Sequence, residues 1–441
     1  MTDKELVGKL DAMVKALQGT KKKTDKSRIL LDARKDFGDE DDELMFFFRF
    51  LLDPAIVTGL SDAKINKKVI VKPDLDFEHY SCGCLYLMGK GHNTGSDAAI
   101  ATIQNYLHKN PEYEDFLKRL FTKNLPIGVE ATTINKVYGE EIVPVWEVQQ
   151  GYPIDKVKLK PRTWFSLSQK MNGNRGTAYK GELISRQAQK FDGLDHIKKD
   201  LSDMCGGESA RDTWVFDGEL IYKNPEGLSD GEAFRYGTGI LNSDNKDKSC
   251  IKFVVFDVLP LDQFDGKCKL TYRQRKVILN DFREAIEYLG LKNIEIVPMV
   301  YEGTDQSVIP KWLDYAVEHD WEGLMLNTDV PYRRARHNGC LKIKRFYTVD
   351  LRITAVEEGQ NRLAGTMGAL VVGYKGNELR VGSGFDDATR AEVWENQDEY
   401  IGRIIEVKYK EKSEDKKTGL ESLQFPTFVR FRNDKNEVSY G

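Results

Sequence analysis

At 441 residues the chain exceeds what one ordinary hydrophobic core supports, so two to four domains are expected. A composition 40% hydrophobic and 31% charged is that of a globular protein, and no apolar run nears the ~18 residues of a membrane-spanning helix. The formal net charge of −4 excludes a uniformly basic surface, so any grip on nucleic acid must come from separate patches.

The N-terminus, Met1-Thr2-Asp3-Lys4-Glu5, carries no apolar leader, and the six cysteines lack zinc-ligand spacing. Both features point to a cytoplasmic protein with reduced thiols. Residues 1–147 show helical periodicity: Tyr113, Phe116, Leu117, Leu120 and Phe121 share one face, with Lys118 and Arg119 opposite. The apolar cluster from Leu44 to Leu52 stops at Asp53-Pro54, and another helix is expected after Gly128, within Val129 to Ile134.

From 148 to 346 the pattern changes to strands, at Trp164–Gln169, Trp214–Tyr222, Ile251–Leu259 and Leu341–Arg345, with helical stretches such as Leu270–Leu289 between them. A mixed α/β or α+β domain follows. A short linker near Phe346 to Thr348 leads to residues 347–441, which carry mostly strand signals. Val349, Leu351, Ile353 and Ala355 alternate with Asp350, Arg352 and Thr354, and Gly376-Asn377 marks a turn. A small β-barrel of the OB type is the expectation there.

Lys170 stands at a strand-to-turn junction, in Lys170-Met171-Asn172-Gly173-Asn174-Arg175-Gly176, where glycines let backbone approach a phosphate. In Phe216-Asp217-Gly218-Glu219-Leu220 the two-residue strand period puts Asp217 and Glu219 on one face. Such carboxylates on an apolar strand suit a sugar hydroxyl, a magnesium ion or an acid/base pair. Glu322 enters another apolar strand and suits Mg²⁺. In Leu341-Lys342-Ile343-Lys344 the alternation buries the aliphatic residues and aims both lysines the other way, where they repel unless an anion sits between them or water screens them. A nucleophilic lysine, isolated carboxylates and paired cations together provide for phosphoryl transfer to an amine.

The ordered set Lys-x-Asn-Gly-x-Arg, Ser185-Arg186, Phe-Asp-Gly-Glu-Leu, Phe256-Asp257, Glu-Gly-Leu and Leu-Lys-x-Lys resembles the covalent nucleotidyltransferase superfamily. Within it the chain is similar to ATP-dependent DNA ligases, especially the compact phage type with a helical DNA-binding domain in front. Further support comes from Leu125-Pro126-Ile127-Gly128-Val129 through Asn135-Lys136-Val137, and from Phe425 to Lys435. The resemblance implies a helical DNA-binding domain (1–147), an adenylation domain (148–346) and an OB-fold domain (347–441). It implies a monomer that uses ATP and Mg²⁺ on nicked duplex DNA.

By the same resemblance Lys170 takes AMP from ATP, Glu219 holds the ribose and, with Glu322, the metal, and Phe256 stacks on adenine. Arg175 and Arg186 contact the ribose and the nick 5′-phosphate, and Lys342 and Lys344 the α-phosphate. Arg430, Arg432 and Lys435 orient the leaving pyrophosphate. Lys136, Arg186 and Arg333 contact DNA. Because the net charge of −4 requires separate patches, the candidates for holding the duplex are the stretches Lys118 to Lys136, Arg333 to Arg336 and Lys408 to Lys417. Four positions depart from the family pattern. Asn172 stands for an aspartate, Gln187-Ala188 lacks a glycine, Gln424 replaces a basic residue, and Ser168 is smaller than the usual adenine-reading side chain. The competing expectations are an RNA ligase, a capping guanylyltransferase, or a non-catalytic relative that binds nucleic acid.

Overall fold

The computed structural model describes residues 1–243, 245–414 and 419–440. The N-terminal region is helical throughout, from Asp3–Gln18 to Ala131–Tyr138, around its own apolar core. Helix Glu114–Phe121 shows how the pattern works: Phe116, Leu117, Leu120 and Phe121 are buried. Outward-facing Lys118 and Arg119 pair with Glu114 and Asp115 one turn back, at 2.7 and 3.0 Å. Helix Asp41–Leu52 ends as expected before Asp53-Pro54, and the helix after Gly128 begins at Ala131.

Two five-stranded sheets form the middle region. One has the order Gln150–Pro153, Arg336–Ile343, Leu324–Thr328, Phe165–Gln169, Met299–Gly303. The other has the order Glu182–Ser185, Asn174–Tyr179, Trp214–Tyr222, Ile251–Pro260, Ile294–Ile296, and it packs against helices Asp195–Cys205 and Tyr272–Leu289. The chain crosses between the sheets at residues 170–173, and the site forms there.

The C-terminal sheet, in the order Asn377–Val381, Met367–Tyr374, Tyr347–Glu358, Ile404–Tyr409, Thr427–Phe431, has its own core. The expected barrel is corrected to an open sheet: among the described residues a single bridge, Ser383 to Thr427, joins the ends of its edge strands. Helix Asp387–Glu395, capped by the Asp386 side chain, was not expected from the strand signals of this region. The hairpin turn falls at Lys375-Gly376, both with positive φ, and Asn377 already pairs in the strand. Asp350, placed outward by alternation, is buried, because Arg432 and Lys435 both close on its carboxylate at 2.7 Å. Among the described residues no helix is long and apolar enough to cross a membrane, and all six cysteines are free.

Candidate active site

Lys170 follows directly on strand Phe165–Gln169, and its backbone N–H donates to the Gly323 carbonyl at 2.9 Å. Gly323 has φ +142°, and a Cβ there would lie 2.2 Å from the Ile343 carbonyl oxygen. Only glycine lets these chain segments meet so closely. The meeting sets Glu322 beside Lys170: its carboxylate accepts from the Lys170 amine and, at 2.5 Å, from Lys344. Burial pushes the Glu322 carboxyl up, but the two lysines outweigh it and hold it below the ordinary range. Gly173 serves the same close packing, since a Cβ there would meet Ile221 at 2.6 Å and the Leu220 carbonyl at 2.8 Å.

Behind Lys170 lies a cavity of about 360 Å³, lined among others by Ser168, Arg175, Glu219, Phe256, Met325 and Lys342. Phe256 is the unpaired residue of a β-bulge: its neighbours Val255 and Asp257 face Gly218 and Asp217. The extra residue turns the aromatic ring out of the apolar core and into the cavity. The Arg175 guanidinium lies over one face of that ring, 4.5 Å from its centroid. Arg175 is gripped by Asp217 at 2.6 and 2.5 Å and by the Gln149 carbonyl, and Tyr332 donates to the same Asp217. Asp217 therefore orients Arg175, and Glu219 faces the cavity free. Glu219 Oε2 is buried without a hydrogen-bond partner, and burial pushes its carboxyl up to about 7 despite Arg175 and Lys170 nearby.

In front of Lys170 opens a wider cleft of about 950 Å³, walled on one side by Glu322, Lys342 and Lys344 and on the other by the C-terminal region. Burial and neighbouring cations, Lys170 foremost, push the Lys342 amine down, and burial does the same to Lys344 despite Glu322. Asn172 donates to Asp230 at 2.8 Å, so a carboxylate stands next to the position where the family has its aspartate. Ala188, where the family has glycine, adopts φ +60°.

Other expected residues stand apart. Arg186 is exposed at the rim of the 360 Å³ cavity, bonded to Gln150 at 2.8 Å. Arg430 pairs with Glu406, and Arg432 and Lys435 with Asp350; none lines either cavity. Lys136 and Arg333 are exposed. Arg334, in the same basic stretch, instead donates to the carbonyls of Val145 and Glu147 and so ties the end of the N-terminal region to the middle region. Lys416 and Lys417 lie outside the described residues. Sequence reasoning missed Tyr332 and Gln149, which have no motif to mark them, and took Lys410 only as part of a charged stretch. Met325 was legible: on a two-residue period it faces away from buried Leu324 and Leu326.

Two protein-family models match. The model of the ATP dependent DNA ligase domain covers residues 153–344, and that of the DNA ligase OB-like domain covers residues 358–432. The chain belongs to the ATP-dependent DNA ligases. It is similar to the DNA ligase of Enterobacteria phage T6, 24% identical over 420 residues and covering 83% of each chain. The DNA ligase of Enterobacteria phage T4 is 23% identical over the same coverage. Its fold is that of the solved structure named Pmar-Lig_PreS3, with a TM-score of 0.72, 24% identity, and 96% and 98% of the two chains covered. The cavity behind Lys170 thus lies mostly in the region matched by the ligase domain, and the cleft in front of it lies between that region and the OB-like one.

Proposed function

We propose that this ligase seals 3′-hydroxyl/5′-phosphate nicks in duplex DNA through a Lys170–AMP intermediate. One observation carries the assignment: Lys170 stands where an enclosed cavity holding Phe256 and Glu219 opens into a cationic cleft. A nucleoside fits the first, and a phosphate tail the second. In the charging step the Lys170 Nζ bonds to the α-phosphorus of ATP, the bond to the bridging oxygen breaks, and pyrophosphate leaves. The 5′-phosphate oxygen of the nick then displaces Lys170 from AMP, and the 3′-hydroxyl displaces AMP from the 5′-phosphorus.

Attack requires the lone pair of Lys170, so its ion pair with Glu322 must open or take up its proton. Lys342 and Lys344 face the α-phosphate, and Glu219 the ribose or the metal. A base stacking on Phe256 uses the ring face that Arg175 leaves clear, or displaces Arg175. Glu219, with its orphaned oxygen, and Glu322 are hard oxygen donors, and Mg²⁺ commonly takes one or two carboxylates with the substrate phosphates. The ion offsets charge on the phosphate oxygens when bound. Arg186 meets the 5′-phosphate. Residues 1–147 hold the duplex with Lys136 and Arg333, and residues 347–441 move so that Arg430, Arg432 and Lys435 reach the pyrophosphate. The chain acts as a cytoplasmic monomer.

The experiment is a gel of nicked duplex with ATP and Mg²⁺, beside labelling of the chain with ATP or GTP. Joining, with label taken from ATP, is the expected result. Label taken only from GTP would favour a capping-type guanylyltransferase.

A further inference from the structure

The cavity behind Lys170 has a floor made by three neighbouring strands of one sheet, Arg336–Ile343, Leu324–Thr328 and Phe165–Gln169. Their register sets side chains in two rows. Lys342, Met325 and Ser168 face one another in the row nearer Lys170, and Cys340, Asn327 and Ser166 form the row behind it. Two residues of extended chain put the second row about 7 Å farther from Lys170. The period that buries Leu324, Leu326 and Thr328 turns Met325 and Asn327 the other way, and both line the cavity.

Most polar side chains around this cavity are already committed. Asp217 holds Arg175 and Tyr332, and the Gln149 side chain accepts from the Arg333 N–H. Gln150 accepts from Arg186, and Asp257 is closed by Arg275 at 2.6 and 2.9 Å. Among the described residues the half-buried Asn327 side chain makes no hydrogen bond. Its cross-strand neighbour Ser166 is 1% exposed, and that hydroxyl too is buried without a partner. A carboxamide left unpaired in such a place costs free energy until a ligand completes it.

We infer that Asn327 reads the adenine base: Oδ1 accepts from the 6-amino group, and Nδ2 donates to the adjacent ring nitrogen. This rests on the ligase reading above. With the α-phosphate at Lys170, the ribose at Glu219 and the ring stacked on Phe256, the base edge farthest from the phosphates falls over the second row. Adenine offers there a donor beside an acceptor, the complement of a carboxamide. Ser168, diagonal to Asn327 across the strand pair, carries one short hydroxyl and cannot span both groups.

The test removes the amine instead of replacing it, because a carboxamide can turn over to serve a 6-oxo base. Affinities of the full chain for ATP and for purine riboside triphosphate, which lacks only the 6-amino group, are measured by calorimetry without Mg²⁺. The native chain is expected to prefer ATP by about tenfold. Asn327→Ala and Asn327→Leu, the second filling nearly the native volume, should bind the two nucleotides alike, with the larger loss on ATP. A merely structural role would weaken both equally and keep the preference. In charging, the same variants should raise the KM for ATP and leave kcat within about threefold of native. A native chain that binds both nucleotides alike, or variants that keep the native preference, overturns the assignment. Loss of the preference in Ser168→Ala but not in Asn327→Leu does the same. If the preference depends on Asn327 yet ATP with Mg²⁺ forms no adduct, the base reader stands and the ligase reading fails.

Discussion

The amine of Lys170 is ion-paired with the carboxylate of Glu322, a contact made across two neighbouring strands by the glycine-dependent approach of residue 323 to residue 343. That carboxylate also holds Lys344, so one acid keeps two active-site cations from repelling each other before substrate arrives. Glu322→Ala should leave both unpaired, let the Lys170 side chain wander, and slow formation of the AMP adduct by at least about 100-fold. Single-turnover charging with labelled ATP measures it, and a loss below about threefold would remove Glu322 from the site.

Asn172 and Asp230 form a second pair, at 2.8 Å, and burial pushes the Asp230 carboxyl up to about 6. Asn172→Asp sets two carboxylates against each other and should destabilise the protein by about 1–3 kcal/mol at neutral pH, because one of them must stay protonated. Adding Asp230→Asn restores a carboxylate–amide pair with the roles exchanged, and most of the stability should return. Chemical denaturation of the four chains gives the coupling, and additive effects would mean that the two side chains do not interact.

Ala188 holds φ +60° in a turn closed by its own N–H to the Ser185 carbonyl at 3.0 Å. The left-handed region strains any residue with a Cβ. Ala188→Gly relieves that strain at the cost of a freer unfolded chain, with a net gain of about 0.5–1 kcal/mol expected. A lower melting temperature would contradict it.

Lys276, on helix Tyr272–Leu289, is buried, and burial pushes its amine down to about 8. The unfolded chain binds this proton more tightly, so the penalty is complete below pH 8 and fades as pH rises towards the ordinary lysine range. Lys276→Met should therefore stabilise the protein by about 1–3 kcal/mol at pH 7, with the advantage shrinking between pH 8 and about 10.5. A constant difference across that range would show that packing, and not charge, sets the effect.

In the middle region the strand at Trp214–Tyr222 falls on the residues expected, whereas the one expected at Leu341–Arg345 runs from Arg336 to Ile343. Lys170, Glu219, Phe256, Glu322 and Lys342 converge as their motifs imply. What stayed hidden depends on three-dimensional partners. Asp217 resembles a ligand until Arg175 and Tyr332 are seen to close on it, and Asp350 looks solvent-facing until Arg432 and Lys435 bury it. Lys408 and Lys410 read as a charged stretch, since only domain packing brings them opposite Lys170. Helix Asp387–Glu395 escaped because only two of its residues, Arg390 and Val393, are buried, too few for a helical period to show.

The nucleophile is the centre of this account, and labelling by ATP tests it most directly. Native chain incubated with α-labelled ATP and Mg²⁺ should carry an acid-labile AMP adduct, while Lys170→Ala and Lys170→Arg, folded as judged by their melting, carry none, since a guanidinium stays protonated and does not attack. An adduct on either variant at the native level would contradict the account and put the reactive amine elsewhere.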